Sequence, residues 1–395
     1  MSKLLEQINI ESKSYIISDL ADIKYGFGLP EPKRIKGSVP VYASSGVVGF
    51  HNEAKVSKPA IIIGRKGNVG SLSFSEKPSF PIDTVFFIDE PNDGFDLKYI
   101  FYLLNRINLP RYGGDSAVPG LSRDTIYSLN VKVPKLLTQK KIASILSAYD
   151  VKIENNNKII KNLETTAETI FNEWFVKFRL PAEVLTKAGF PDGKIKMVES
   201  EMGEIPKGWE VKKISDFCEA HGGGTPSTKN TKFWEGGDIS WVTPTDMTLL
   251  SSIFIDRTKN KITKEGLEGS STRMLPKNTI LMTSRATVGV LAISKVPITT
   301  NQGFISCVCI KVEDTAFMFW WLKTNVQMIK HLATGSTFPE ISRGVFREIE
   351  ILVPSDKIRS SFHESIIPLH DLIYNLYVEN FQLKESRDQL LAKLI

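Results

Sequence analysis

TQKKIASILSAYDVKIENNNKIIKNLETTAETIFNEWFVKF, residues 138–178, carries the pattern that decides the fold. Ile142, Leu146, Tyr149, Ile153, Asn156, Ile160, Leu163, Ala167, Ile170 and Trp174 follow one another in steps of four and three residues. The average of 3.5 keeps one seam of a helix against a partner helix. A single Asn in that seam fixes register at some cost in stability. The stretch holds no Gly or Pro, so nothing in it stops a helix. The partner is found 220 positions on, at Phe362, Ile366, Leu369, Ile373, Leu376, Asn380, Leu383, Arg387, Leu390 and Leu394. The rhythm is the same, again with one seam Asn.

The offset also holds outside the helices. Pro119 and Pro339, Ser122 and Ser342, Arg123 and Arg343, Arg65 and Arg285, and Val133-Pro134 and Val353-Pro354 all differ by 220. Two unrelated amphipathic helices would not share those spacings. The chain is a tandem duplication, with a fold class of α+β: two similar mixed α/β globules separated by two long antiparallel helices in a coiled coil. The expected divisions are a first globule at 1–135, a central helix at 136–180, a linker at 181–208, a second globule at 209–355 and a C-terminal helix at 356–395.

Within the first globule, short β-rich runs at Val39–Ala43, Ala60–Ile63, Val69–Phe74 and Thr84–Ile88 are punctuated by Gly, Pro, Asn and Ser. That pattern predicts a small curved sheet with irregular loops. A helix over Asp96–Asn108, a loop from Tyr112 to Arg123 and a closing strand at Tyr127–Val133 complete it. Pro and Gly scattered through Leu180–Gly208 predict a linker without regular structure. In the second globule, Ile214–Phe217 mirrors Leu20–Ile23 at an offset of 194. About 26 extra residues are therefore expected near its start, in His221–Met247. Strands at Asn278–Met282, Val288–Ile293 and Phe304–Val312, a helix at Phe317–Leu332 and a strand at Glu348–Val353 follow.

At 395 residues the chain suits two or more domains. Its 42% apolar and 24% charged residues are an ordinary composition for a protein in water, and no apolar run of about 18 residues suggests a membrane span. The start, MSKLLEQINIESK, lacks the pattern of a secretory signal, so a cytoplasmic location is expected. Cys218, Cys307 and Cys309 are too few for a disulfide framework, and their C-x-C spacing lacks a second ligand pair, so no metal is expected. The net charge of +6 leans toward a polyanionic partner.

Three passages carry a resemblance: NLETTAETIFNEWFVKFRLP at Asn162–Pro181, VESEMGEIPKGWEVKKISDF at Val198–Phe217, and the pair VPGLSRDTIYSLNVKVP and FPEISRGVFREIEILVP. With GGGTPS…FWEGGDISWVTPTDM in the second globule, they make the chain resemble the specificity subunits of type I restriction–modification enzymes. The resemblance implies two target recognition domains, each reading one half of a split site in double-stranded DNA. The opening YGFGLPEPKRIKG departs from the GGTPS style, so the half-sites are expected to differ. It implies as partners two modification subunits, which bind S-adenosylmethionine and methylate adenine, and two ATP-dependent restriction subunits. This chain itself then needs no cofactor, S-adenosylmethionine and ATP with Mg belonging to the partners.

For DNA contact, Arg and Lys suit guanine and phosphate, while Asn and Gln suit adenine. Candidates in the first globule are Lys33, Arg34, Lys36, Arg65, Lys66, Asn68 and Arg123; in the second they are Lys229, Asn230, Lys232, Arg273, Ser284, Arg285 and Arg343. A solvated surface charge is the ordinary role for any one of them, and Ser122 or Ser342 could simply cap backbone. Phe171, Trp174, Phe175 and Phe178 exceed what one seam needs; they fit a docking face for a partner or internal packing equally. His363 and His370 are expected on a helix surface.

Catalytic motifs are missing. No (D/N)PP(Y/F) tetrapeptide, no phosphate loop ending in Lys-Ser/Thr and no H-E-x-x-H occurs, and Gly26-Phe27-Gly28 is a lone G-x-G before a proline. A DNA-reading subunit without catalysis therefore leads, ahead of a single-chain methyltransferase or nuclease and of a coiled-coil scaffold or autonomous DNA-binding regulator.

Overall fold

The structure is a computed structural model that describes residues 11–113, 120–200, 203–335 and 339–395. The N-terminal MSKLLEQINI and part of the loop expected before Arg123 lie outside the described residues. The chain divides into two units, 1–153 with 382–395, and 154–381. Both divisions fall inside long helices, Leu136–Phe171 and Asp356–Leu394. Among the described residues no helix is long and apolar enough to cross a membrane.

In the first unit, Ser12–Ile16 pairs antiparallel with Asn130–Pro134 and brings the start of the globule to the start of the long helix. The strand leads into the single turn Ile17–Leu20, whose Asp19 side chain takes the Ile16 N–H. A four-stranded antiparallel sheet follows in the order Lys24–Tyr25, Val85–Ile88, Ala60–Gly64, Leu72–Ser75. Ala60–Gly64 and Val85–Ile88 are buried throughout, as continuous apolar runs require. A second sheet joins Gly46–His51, Val39–Ala43 and Phe80–Pro81, the last pair parallel. Helix Leu97–Ile107 begins at Asp96, whose carboxylate accepts the Tyr99 N–H at 2.8 Å, and ends at Asn108 in the left-handed conformation.

The second unit repeats this plan. Glu210–Lys213 pairs with Glu350–Val353, and the sheet runs Cys218–Gly222, Phe304–Cys309, Ile280–Thr283, Leu291–Ser294, with Phe254–Ile255 added as a fifth strand parallel to the last. A parallel pair, Ile239–Val242 with Thr299–Thr300, matches the one in the first unit. The single turn Ile214–Phe217 stands where Ile17–Leu20 stands, so ISDF answers ISDL at an offset of 197, not 194. The expected 26 extra residues become 23, and they are not concentrated in His221–Met247. The offset is still 200 at Trp241, opposite Val41, and is 219 at Ile280, opposite Ile61. A tight turn, Ala43–Gly46, between paired strands of one globule is replaced by helix Pro244–Thr248 and strand Phe254–Ile255 in the other, where helix Lys264–Glu268 follows the return strand Asn260–Ile262.

Other departures have local causes. The expected linker holds a short helix, Ala182–Lys187, and a hairpin, Met197–Ser200 with Gly203–Pro206. The helix expected over 317–332 is two, broken at Asn325. Five-residue helices at Arg123–Tyr127 and Arg343–Arg347 escape periodicity because one turn shows no period.

Both seams face inward throughout: each seam position is buried or half-buried. In the second unit the Asn156 amide donates to Asn380 at 3.0 Å and to Glu379 at 2.7 Å, while Asn380 donates to Asn157 at 2.9 Å. In the first unit Arg387 meets Asp150 at 2.6 Å, and Asp150 also accepts the Tyr102 hydroxyl. Position numbers rise along one helix as they fall along the other, so the pairing is antiparallel. The first helix ends by widening into a π turn at Asn172–Val176 before Phe178, which has a φ of +56°.

Phe171, Trp174 and Phe175 are buried among Phe317 and Phe362, and Phe178 packs edge-on to Trp209 at 5.4 Å. These aromatics are core packing and not an open docking face. His370 is likewise no surface residue. It is 3% exposed, and its Nε2 accepts the Trp320 indole N–H at 3.1 Å. Burial, reinforced by the charge of Lys295, holds its pKa down at about 3. The unfolded chain takes up a proton below about pH 6.5 where the folded one does not, so stability is complete above that pH and falls as pH drops. Denaturant titrations of the second unit's transition should show a loss of about 1.4 kcal/mol per pH unit between pH 6 and pH 5 from this group. His370→Gln should flatten that slope; an equal slope in the variant would remove His370 as its source.

Candidate nucleic-acid interface

Each globule turns sharply where its central strand ends. After Ala60–Gly64 the chain makes the loop Gly64-Arg65-Lys66-Gly67-Asn68, with Gly67 at φ +77° and Gly70 at φ +73°. A Cβ at Gly70 would lie 2.4 Å from the Pro110 nitrogen, so only glycine fits this approach. Gly70 donates to the Gly64 carbonyl at 2.8 Å, and Leu121 donates to Arg65 at 3.0 Å. The turn thereby holds Arg65 beside the start of helix Arg123–Tyr127.

Between the two arginines stands Tyr25, 48% exposed at the end of its strand. The Arg65 guanidinium carbon lies 4.9 Å from the Tyr25 ring centre, and that of Arg123 lies 5.1 Å from it. Phe86 supports the ring edge-on at 5.0 Å. Such cation–π contacts hold a guanidinium in place, and the Arg123 Nη1 also donates to the Ile23 carbonyl at 3.4 Å.

In the second unit the loop Thr283-Ser284-Arg285-Ala286-Thr287 takes the same course, with Ala286 at φ +57° and Gly289 donating to Thr283 at 2.8 Å. Ile341 donates to the Ser284 carbonyl at 3.1 Å as Leu121 does to that of Arg65, so Ser284 stands where Arg65 stands and Arg285 holds the place of Lys66; the expected match of Arg65 with Arg285 is off by one residue. Here Arg285 is paired: its Nε lies 2.7 Å from a Glu340 oxygen. Gly120 holds the corresponding place in the first unit. The position of Tyr25 is taken by Gly222, and a Cβ built there would lie 3.4 Å from Arg343 Nε. A cleft of about 450 Å³ opens, lined by Gly222, Ser284, Arg285, Gln302, Glu340 and Arg343.

The remaining candidates are dispersed. Lys33 and Lys36 are exposed around Arg34, which is half-buried and donates to the Val48 carbonyl at 3.0 Å. Lys66 and Asn68 are exposed beyond Arg65. Lys229 and Lys232 are exposed, whereas the Asn230 side chain caps the turn Thr231–Phe233 by accepting from the Lys232 N–H at 3.3 Å. Arg273 lies 3.0 Å from His221 Nδ1, whose Nε2 is 3.0 Å from Glu219. Ser284 is buried, and Ser342 caps its helix by accepting from Val345 at 3.2 Å. Tyr25, Gln302 and Glu340 were not among the candidates. The 220 offset pairs Glu340 with Gly120, and that mismatch was a readable signal for a difference between the two sites. Among the described residues no group of three His, Cys, Asp or Glu is placed to hold a metal.

Two globules of one plan, each presenting basic side chains at the same strand exit, match a known architecture. The family model described as the type I restriction modification DNA specificity domain fits the chain twice, at residues 9–165 and 206–367. The chain belongs to that family. It is 38% identical over 198 residues to the type I restriction enzyme MjaIX specificity subunit of Methanocaldococcus jannaschii, an alignment spanning half of this chain and 44% of that one. It is 27% identical over 373 residues to the HindI specificity subunit of Haemophilus influenzae, covering 80% of this chain and 81% of that one. The crystal structure of a type I restriction–modification S subunit from M. genitalium shares the fold, with a TM-score of 0.60 at 16% identity over 98% of this chain and 96% of that one.

Exposed lysines contribute to duplex binding through counterion release, at about 0.9 of salt slope per phosphate. The triple variant Lys33→Ala, Lys36→Ala, Lys66→Ala should therefore lower the slope of log K against log salt by about 2 to 3 and weaken every duplex alike. Fluorescence anisotropy across a salt series measures it; an unaltered slope would place these lysines away from DNA.

Proposed function

We propose that this chain is the non-catalytic reader of a type I system, each globule recognising one half of a bipartite, asymmetric DNA site while the long helices set the gap. The observation that carries this is the recurrence of a basic strand exit in two repeated globules, Arg65 and Lys66 beside Arg123 in one, and Arg285, at the place of Lys66, lining a cleft with Arg343 in the other. The differing surroundings of the two exits, Tyr25 in one and Gly222 with Glu340 in the other, support half-sites of different sequence.

On this reading the helices are a spacer, and their outer faces receive two modification subunits. Val151, Ile159 and Leu372 are exposed apolar side chains off the seam and suit such a contact. The quasi-twofold repeat suits paired partners. S-adenosylmethionine would reside on the modification subunits, and ATP with Mg on two restriction subunits, in the cytoplasm.

An α-helix rises about 1.5 Å per residue, so one heptad adds about 10 Å, or about three base pairs of duplex. Inserting a heptad at matched places in both helices preserves the seam. Selection of bound sequences from random DNA, with the modification subunits present, should return the same two half-sites with a gap about three base pairs longer. The same gap in both proteins would show that the helices are not the spacer.

A further inference from the structure

The second unit's cleft differs from its counterpart in a way that assigns it a task. In the first unit the ring of Tyr25 fills the space between the two guanidiniums. In the second, Gly222 stands in place of Tyr25 and Ser284 in place of Arg65, and a cleft of about 450 Å³ opens there. The groups around it are a mixture of donors and acceptors. Arg343 brings a guanidinium for which no acidic partner is found among the described residues, exposed Gln302 brings an amide whose oxygen already accepts the Thr225 hydroxyl, and Glu340 brings a carboxylate already spent in part on Arg285.

A phosphate is poorly served here. The Glu340 carboxylate repels it at short range, and it offsets the nearer of the two arginines. A base edge is well served, since it presents donors and acceptors side by side: an arginine fork fits guanine O6 and N7, and a glutamine amide fits adenine N6 and N7. We propose that this cleft is the base-reading site of the second globule, with Arg343 and Gln302 contacting base edges there. The proposal rests on the DNA-reading function above and adds which residues discriminate.

The test uses the full chain with its modification subunits, random-sequence selection and salt titration on the selected duplex. Arg343→Ala and Gln302→Ala should each relax the consensus at one or two neighbouring positions of one half-site, leave the other half-site intact, and weaken the preferred duplex roughly 5- to 150-fold. Arg343→Lys keeps the charge and loses the fork, so it should relax the same position with the salt slope unchanged. Gly222→Tyr closes the slot as Tyr25 does, and its Cβ would meet only the flexible Arg343 side chain, so it should abolish discrimination in that half-site alone. A uniform loss over all sequences with a slope lower by about one, or an unaltered consensus, would overturn the proposal and leave the wider function standing. A wild-type complex that selects no split sequence would overturn both.

Discussion

Ile142 and Leu146, near the start of the first long helix, and Leu390 and Leu394, at the end of the second, share one apolar cluster with the sheet and helix of the first unit. In the second unit Ile160, Phe171, Trp174 and Phe175 meet Ile358, Phe362, Ile366 and Ile373 in the same way. Sheets of two to five short strands bury too little apolar surface to hold their own shape. Each globule therefore finishes its core on helix turns contributed from distant parts of the sequence. The antiparallel helix pair is thus a structural element of both globules, and a slip of its register would disturb both cores at once.

Two devices resist such a slip. Asn156, Asn157, Asn380 and Glu379 form a polar layer in the seam, whose hydrogen bonds require the observed alignment. A second device ties each long helix to its globule, and the repeat solves it in two chemistries. Gln139, 1% exposed, accepts the Asp96 N–H at 2.9 Å and donates to the carbonyls of Gly94 and Pro134. At the matching position Arg359 pairs with Asp314 at 2.7 Å and donates to the Pro354 carbonyl and Asp356. The neutral amide avoids the desolvation of two charges; the ion pair accepts that cost and would be the harder to break, since a stranded buried charge costs about 3–5 kcal/mol.

Periodicity made the helix pair, the duplication and most strands legible, because those features repeat in residue type at fixed spacing. What it missed was set by three-dimensional neighbours. His370 looked like helix surface because its polarity outweighed its place one step past Leu369; the Trp320 indole opposite it was invisible in one dimension. The aromatic run at 171–178 fitted either docking or packing until Phe317, Phe362 and Trp209 were seen to surround it. The extra segment of the second globule was misplaced because GGGTPS draws attention to the start, while the added helix and strand after Trp241 carry no unusual composition.

The arginines at the strand exits show how a duplicated frame diverges without moving. Backbone contacts at the two strand exits are alike: a tight turn, a carbonyl (of Arg65 in one, of Ser284 in the other) taking an N–H from the approaching segment, and a five-residue helix that begins at Arg123 or Arg343. Those contacts involve main chain, so they survive changes in side chain. Tyr25 against Gly222, and Gly120 against Glu340, then decide whether two guanidiniums sandwich a ring or line a cleft. A reader built this way alters what it recognises by exchanging a few side chains on fixed backbone, while the cores and the helix pair, which both globules need intact, remain outside the exchange.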